Sequence, residues 1–170
     1  ATTRGAAVWI TSTNEDKVAK LDERDGKELF RVPTYGDFPQ RTAVAPDGSV
    51  WITNRGSRAY VHISETGKLI CSSPYGSCLT RAAAIDSDGF PWIGCYDKKQ
   101  LIKVSPNETT DTTTTVGLGG DVKDSPITVP VCKELARVDV PEEPYGLVAD
   151  GHGALWMAVG WQVVPMFWMT

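Results

Sequence analysis

Histidine is nearly missing from this chain: of 170 residues only His62 and His152 carry an imidazole. The common catalytic signatures are missing as well. There is no Gly-x-Ser-x-Gly elbow, no His-Glu-x-x-His pair, no P-loop and no Gly-x-Gly-x-x-Gly. Gly117-Leu118-Gly119-Gly120 is glycine-rich but lacks the spacing and the following Lys-Ser/Thr that hold phosphate. Asp86-Ser87-Asp88-Gly89 begins like a calcium loop, yet the later acidic ligands and the closing glutamate do not follow, so a hairpin turn is expected there. The four cysteines form no Cys-x-x-Cys pair, which argues against zinc and thioredoxin-like chemistry. Lys and Arg build no block able to track a phosphate backbone, and the net charge is −4, so nucleic acid is not an expected partner. No ten-residue window shows the 3.6-residue apolar period of a helix.

Long apolar runs are also scarce. The exception, Ala154 to Thr170, is 17 residues long and is interrupted by Gly160, Gln162 and Pro165. It reads as two strands, with no membrane span. The chain opens at Ala1 without a charged and apolar leader, as expected of a mature or trimmed chain. Cys71, Cys78, Cys95 and Cys132 make an even count, Asn107-Glu108-Thr109 fits an N-glycosylation acceptor, and Thr109 to Thr115 is a polar tract of the surface type. Together they predict an extracellular or periplasmic, disulfide-forming protein.

What the chain does contain is Val, Ile, Thr, Gly, Pro and six tryptophans, a strand-and-turn composition. It also contains a repeat. Trp9, Trp51 and Trp92 are spaced by 42 and 41 residues, and Trp156 follows 64 later, one period plus an insertion. Gly48, Gly89 and Gly153 each lie three residues before their Trp, with Asp47, Asp88 and His152 one position earlier. Short apolar runs precede each turn, and alternating runs such as 17–22, 59–64 and 100–105 follow each Trp. Each unit thus reads as four strands, A to D, joined by glycine turns. The fold predicted is all-β: a β-propeller with four-stranded antiparallel blades of about 41 residues. Each strand-B Trp is expected to pack between neighbouring blades.

The stretches APDGSVWITN, AAAIDSDGFPWIGC and PYGLVADGHGALWMAV resemble the repeats of NHL-type and streptogramin (virginiamycin B) lyase-like propellers, across nearly all of the chain except about 106–133. That resemblance implies metal-dependent elimination by a His–Glu constellation with Mg²⁺ at the channel mouth. His62 alternates within strand C and His152 stands in a turn at the far end of its blade, so neither matches, and no catalytic residue is assigned. A cofactor, Mg or Ca, is expected only if the enzyme reading holds.

Blade by blade, strands B–D of the first occupy 5–34, the second 40–74, the third 80–140 with an insertion at 107–133, and part of a fourth 144–170. About three and a half blades are an incomplete ring, whose open faces and edges would be left in water. The expected partner is the remainder of a longer chain, or another subunit such as a second copy, with Val163 to Trp168 as one contact. The insertion is expected to be a long functional or disordered loop, tethered by Cys132. Cys71–Cys78 with Cys95–Cys132 is the expected pairing; Cys78–Cys95 is the alternative, because strand A begins where strand B ends.

Propeller ligand sites form where D–A and B–C loops crowd the channel. Those loops bring Arg41, Asn54, Arg55, Arg81, Tyr96, Asp97 and Tyr145 to one face. An arginine pair there can hold a carboxylate, sulfate or acidic sugar, or can brace the blade tops against loop carbonyls. The expected function is an exported, non-catalytic binding or assembly module. The alternatives are part of a lyase or lactonase-type enzyme, and a lectin presenting Tyr35, Tyr75, Tyr96 and Tyr145.

Overall fold

The turns set the strand lengths. Gly48, Gly67, Gly89 and Gly153 sit at φ of 85, 86, 85 and 87°, a region in which a Cβ is strained, and each closes a tight hairpin. In the second and third units the same bonds recur: Gly48 N–H donates to Ala45 O and Gly89 N–H to Asp86 O.

The computed structural model describes residues 7–119, 125–160 and 162–166. The first sheet is the antiparallel meander of β1 (Ala7–Ser12), β2 (Lys17–Asp22) and β3 (Glu28–Pro33). The second unit holds β4 (Pro39–Val44), β5 (Val50–Asn54), β6 (Ala59–Ile63) and β7 (Leu69–Ser72). The third holds β8 (Thr80–Ile85), β9 (Pro91–Cys95), β10 (Gln100–Val116) and β11 (Ile127–Asp139). The last comprises β12 (Gly146–Ala149), β13 (Leu155–Val159) and β14 (Gln162–Met166). The stretch Ala154 to Thr170 therefore supplies two strands, and the proposed contact at Val163 to Trp168 rests on side chains outside the described residues. No helix among the described residues is long and apolar enough to cross a membrane.

Strands β4, β8 and β12 lie side by side as inner strands, and each unit fans outward from them. Every residue of β5, β6 and β9 is buried, so the polar–apolar alternation of a half-exposed strand is lost. The cause is cover on both faces by the adjacent sheets. Trp9 packs with Val50, Ile52 and Val61 of the next unit, Trp51 with Ile93 and Ile102, and Trp92 with Leu155 and Met157. These tryptophans are the expected wedges between sheets. Trp156, with no following sheet among the described residues, is 37% exposed.

The insertion is not the loop that its length suggested. β10 runs on through Thr109 to Val116 and pairs with Ile127 to Cys132, so the third unit's outer hairpin extends into a long ribbon, kinked by bulges between Lys103 and Thr113. The threonines favour this, because β-branched side chains suit an extended backbone. The ribbon crosses to the neighbouring unit, where Val131 pairs in parallel with Ser72 and joins both sheets into one of eight strands. Gly117 N–H donates to Tyr75 Oη at 3.2 Å, and Tyr75 Oη donates to Tyr35 O at 2.8 Å.

This crossing overturns the expected pairing of Cys71 with Cys78 and of Cys95 with Cys132, whereas the alternative Cys78–Cys95 bridge is present. The bridges are Cys71–Cys132 and Cys78–Cys95, with Cα separations of 5.1 and 5.5 Å. Cys71 lies on the outer strand of its sheet, whereas Cys78 leads into the inner strand of the next, so the loop between them spans the width of a blade. Cys132 reaches Cys71 because its neighbour Val131 pairs with Ser72. Cys78 reaches Cys95 because Thr80 pairs with Cys95 at the head of the β8–β9 ladder.

Candidate functional site

Three inner strands begin with a residue out of step with its ladder or just ahead of it. Between Pro39↔Asn54 and Arg41↔Thr53 the pairing skips Gln40, and between Thr80↔Cys95 and Ala82↔Gly94 it skips Arg81. Tyr145 stands immediately before β12. Gln40, Arg81 and Tyr145 each lie eleven residues before their blade tryptophan. A bulge re-aims the side chain it carries, and here the three aim together. With Arg41 and Thr13 they line a polar cleft of about 260 Å³.

The Arg81 guanidinium lies 4.5 Å from the Tyr145 ring centroid and 5.4 Å from that of Tyr96, and Arg41 lies 5.7 Å from the Tyr145 ring. Stacking on aromatic faces orients a guanidinium and leaves its N–H edge free for a ligand. Neither arginine has a carboxylate partner among the described residues, and no acidic side chain lines the cleft. The Thr13 hydroxyl donates to Pro39 O at 2.8 Å, which ties the first sheet to the cleft floor and leaves its lone pairs to accept.

The other expected residues go elsewhere. Asn54 is fully buried; its amide donates to Thr34 O at 2.9 Å, its side chain packs over Gly36, and its Oδ1 finds no partner. Asp97 is paired with Arg58 and accepts the Leu79 N–H at 2.8 Å. Burial raises its pKa, but the Leu79 N–H and Arg58 outweigh that and hold the carboxyl below its ordinary value. Both residues brace loops. Arg55 faces a second cleft of about 230 Å³ with Asp37, Phe38, Gly56 and Leu79, its guanidinium 5.9 Å from the Phe38 ring. Tyr35 and Tyr75 spend polar groups on each other and on the ribbon, as described above, whereas Tyr96 and Tyr145 frame Arg81. Asn107 is exposed on the ribbon.

No protein-family model and no curated protein sequence matches the chain. Solved structures do. Virginiamycin B lyase from Staphylococcus aureus superposes with a TM-score of 0.63 at 13% identity, over 89% of this chain and 44% of that one. Kuenenia stuttgartiensis hydrazine synthase gives 0.70 at 15% identity over 91% and 39%, and the WD40 β-propeller domain of Doa1 gives 0.66 at 10% over 96% and 47%. The fold is a β-propeller. The chain spans less than half the length of each of these three, and identities this low speak for fold alone.

In propeller terms, β4, β8 and β12 are the inner strands and the two clefts are built from the D–A and B–C loops. Thr13 and Gln40 belong to this site although the sequence reading passed over them. The repeat carried the signal: Gln40 shares a slot with Arg81 and Tyr145, and Thr13, Arg55 and Tyr96 each lie four residues after a blade tryptophan.

His62 is placed by the same repeat. The residue opposite each tryptophan is Lys20, His62 and Lys103 in the first three blades. Both lysines lie 5.4 Å from the Trp ring centroid, and the His62 ring stacks on Trp51 at 4.2 Å, 13° from parallel. His62 Nε2 meets Ser49 Oγ at 2.8 Å, and Ser49 Oγ donates to Asp47 at 2.6 Å. Burial lowers the imidazole pKa to about 4, against the opposing pull of Asp47. This is a structural slot at the A–B turn, away from the cleft. In the calcium-like turn, Asp86 accepts N–H groups of Asp88 and Phe90 and the Trp92 indole, so its carboxylate holds the hairpin. Among the described residues no three His, Cys, Asp or Glu side chains gather as a metal site.

Proposed function

We propose that this propeller is an exported, non-catalytic binding module whose channel-mouth cleft holds an anionic group. The observation that carries this reading is the Arg41–Tyr145–Arg81 stack, two oriented guanidiniums without a carboxylate partner among the described residues. Bidentate N–H···O bonds from arginine suit a carboxylate or sulfate, and the Gln40 amide adds a donor. Two disulfides fit the oxidising compartment that export implies.

Titration of the protein with acetate and with sulfate, followed by amide chemical shifts, tests the reading. Saturable shifts centred on residues 40–41, 81 and 145, weakened at least about tenfold in Arg81→Gln, are expected for loss of a charge-assisted pair. Shifts that never saturate, or that Arg81→Gln leaves unchanged, would overturn it.

A second role, assembly, is favoured by the β1 edge. Among the described residues β1 pairs only with β2, and Val8 and Ile10 on it are 46% and 51% exposed. An open strand edge with apolar side chains is a pairing surface. Sedimentation of the purified chain distinguishes a partner-seeking edge, which self-associates, from one that stays monomeric.

A further inference from the structure

The anion cleft has an apolar neighbour built from the same two chain segments. Phe38 and Leu79 line the second cleft, and Gln40 and Arg81 line the first. Pro39 and Thr80, the residues between them, are buried, so each segment contributes to both clefts across a buried spacer. Two residues span at most about 7 Å of extended chain. The clefts are therefore adjacent subsites on one face, one polar and cationic, the other offering an aromatic ring and an aliphatic side chain between Asp37 and Arg55.

Phe38 is held in place at a conformational cost. Its φ is 57°, a left-handed value uncommon for a bulky residue, and its N–H donates to Asp16 Oδ1 at 2.8 Å. The ring is 41% exposed, and Arg55 lies over it. An exposed aromatic ring in a strained backbone gains nothing from burial in its own core, and strain of this kind gathers at ligand sites. Asp37 also borders this cleft; its carboxylate packs over Gly56, whose N–H donates to Asp37 O. Arg55 has no carboxylate partner among the described residues and adds a third guanidinium facing the ligand side.

We propose that the ligand is an amphipathic carboxylate. Its anionic head lies between Arg41 and Arg81, and its apolar body lies on Phe38 and Leu79. This deepens the anion reading and rests on it. Charge complementarity chooses the head, the span of at most about 7 Å between the flanking residues limits the linker to a few methylenes, and the apolar lining chooses a ring or branched chain for the body.

Butanoate, 4-phenylbutanoate and the neutral 4-phenylbutanamide are the probes, with Kd taken from amide shifts of the wild-type chain and of Arg81→Gln and Phe38→Asn. Asparagine tolerates the left-handed backbone at position 38, so the second variant removes the ring without disturbing the loop. 4-Phenylbutanoate should bind about tenfold more tightly than butanoate, the gain expected from burying part of a phenyl group. Phe38→Asn should remove most of that gain, and Arg81→Gln should weaken both acids. Equal Kd for the two acids would overturn the amphipathic ligand while the anion site stands. Amide binding as tight as the acid's would also overturn it, because the head would then contribute nothing. Failure of both acids to bind would bring down the anion reading as well.

Discussion

Acidification should destabilise this propeller through His62 well before its surface carboxylates matter. The ring is 3% exposed, stacked on Trp51 and bonded to Ser49, with a pKa of about 4 against 6.5 for the free side chain. The unfolded chain therefore binds the extra proton first. Stability from this group is complete above about pH 6.5, falls as the pH drops through the interval between the two pKa values, and stops falling below about 4. Across the whole interval the loss is about 3 kcal/mol, and between pH 7 and pH 5 it is about 2 kcal/mol. His62→Phe retains a ring for the Trp51 stack but has nothing to protonate. It loses the Ser49 bond, about 1 kcal/mol at neutral pH, and should show a pH profile flatter than wild type by about 2 kcal/mol over the same range. Urea melts of both proteins at pH 7 and pH 5 measure this, because carboxylate effects common to both cancel in the comparison. Parallel profiles for wild type and variant would refute the argument, as would a wild type that gains stability on acidification.

Two further outcomes follow from the bridges and turns. Replacing Cys71 and Cys132 by serine should cost more than replacing Cys78 and Cys95, about 4 against about 3 kcal/mol in the chain-entropy account, since the bridges close separations of 61 and 17 residues; guanidinium melts rank them, and peptide mapping without reduction should find the same pairs. Asp86→Ala removes the acceptor of the Trp92 indole and two turn N–H groups and should destabilise by about 2 kcal/mol in the same assay.

Much of the architecture was legible because a propeller repeats. A tryptophan every forty-odd residues, preceded by a glycine turn, leaves few alternatives to stacked four-stranded sheets, and Trp9, Trp51 and Trp92 all lie between blades as that spacing demands. Part of the candidate cleft was legible for the same reason: Arg41, Arg81, Tyr96 and Tyr145 lie near the heads of inner strands or the ends of B strands, and the fold gathers such positions on one face. Asn54 and Asp97 share that address yet serve the loops. Their fate depended on which neighbour offered a partner, Thr34 and Gly36 for one and Arg58 for the other, and no repeat position encodes that.

Local pattern alone determined the hairpins, the blade period and the face on which polar loop residues collect, since these follow from glycine φ values, side-chain alternation and chain length. The repeat already put Cys78 near Cys95, but tertiary structure alone decided where the insertion travels and that Cys132 meets Cys71. The ribbon's strands are long enough to leave their own blade, and the disulfide partner of Cys132 is whichever strand the ribbon meets after its bulges have bent it. The long-range pairing of Val131 with Ser72 brings that partner to Cys71, across sixty-one residues of chain.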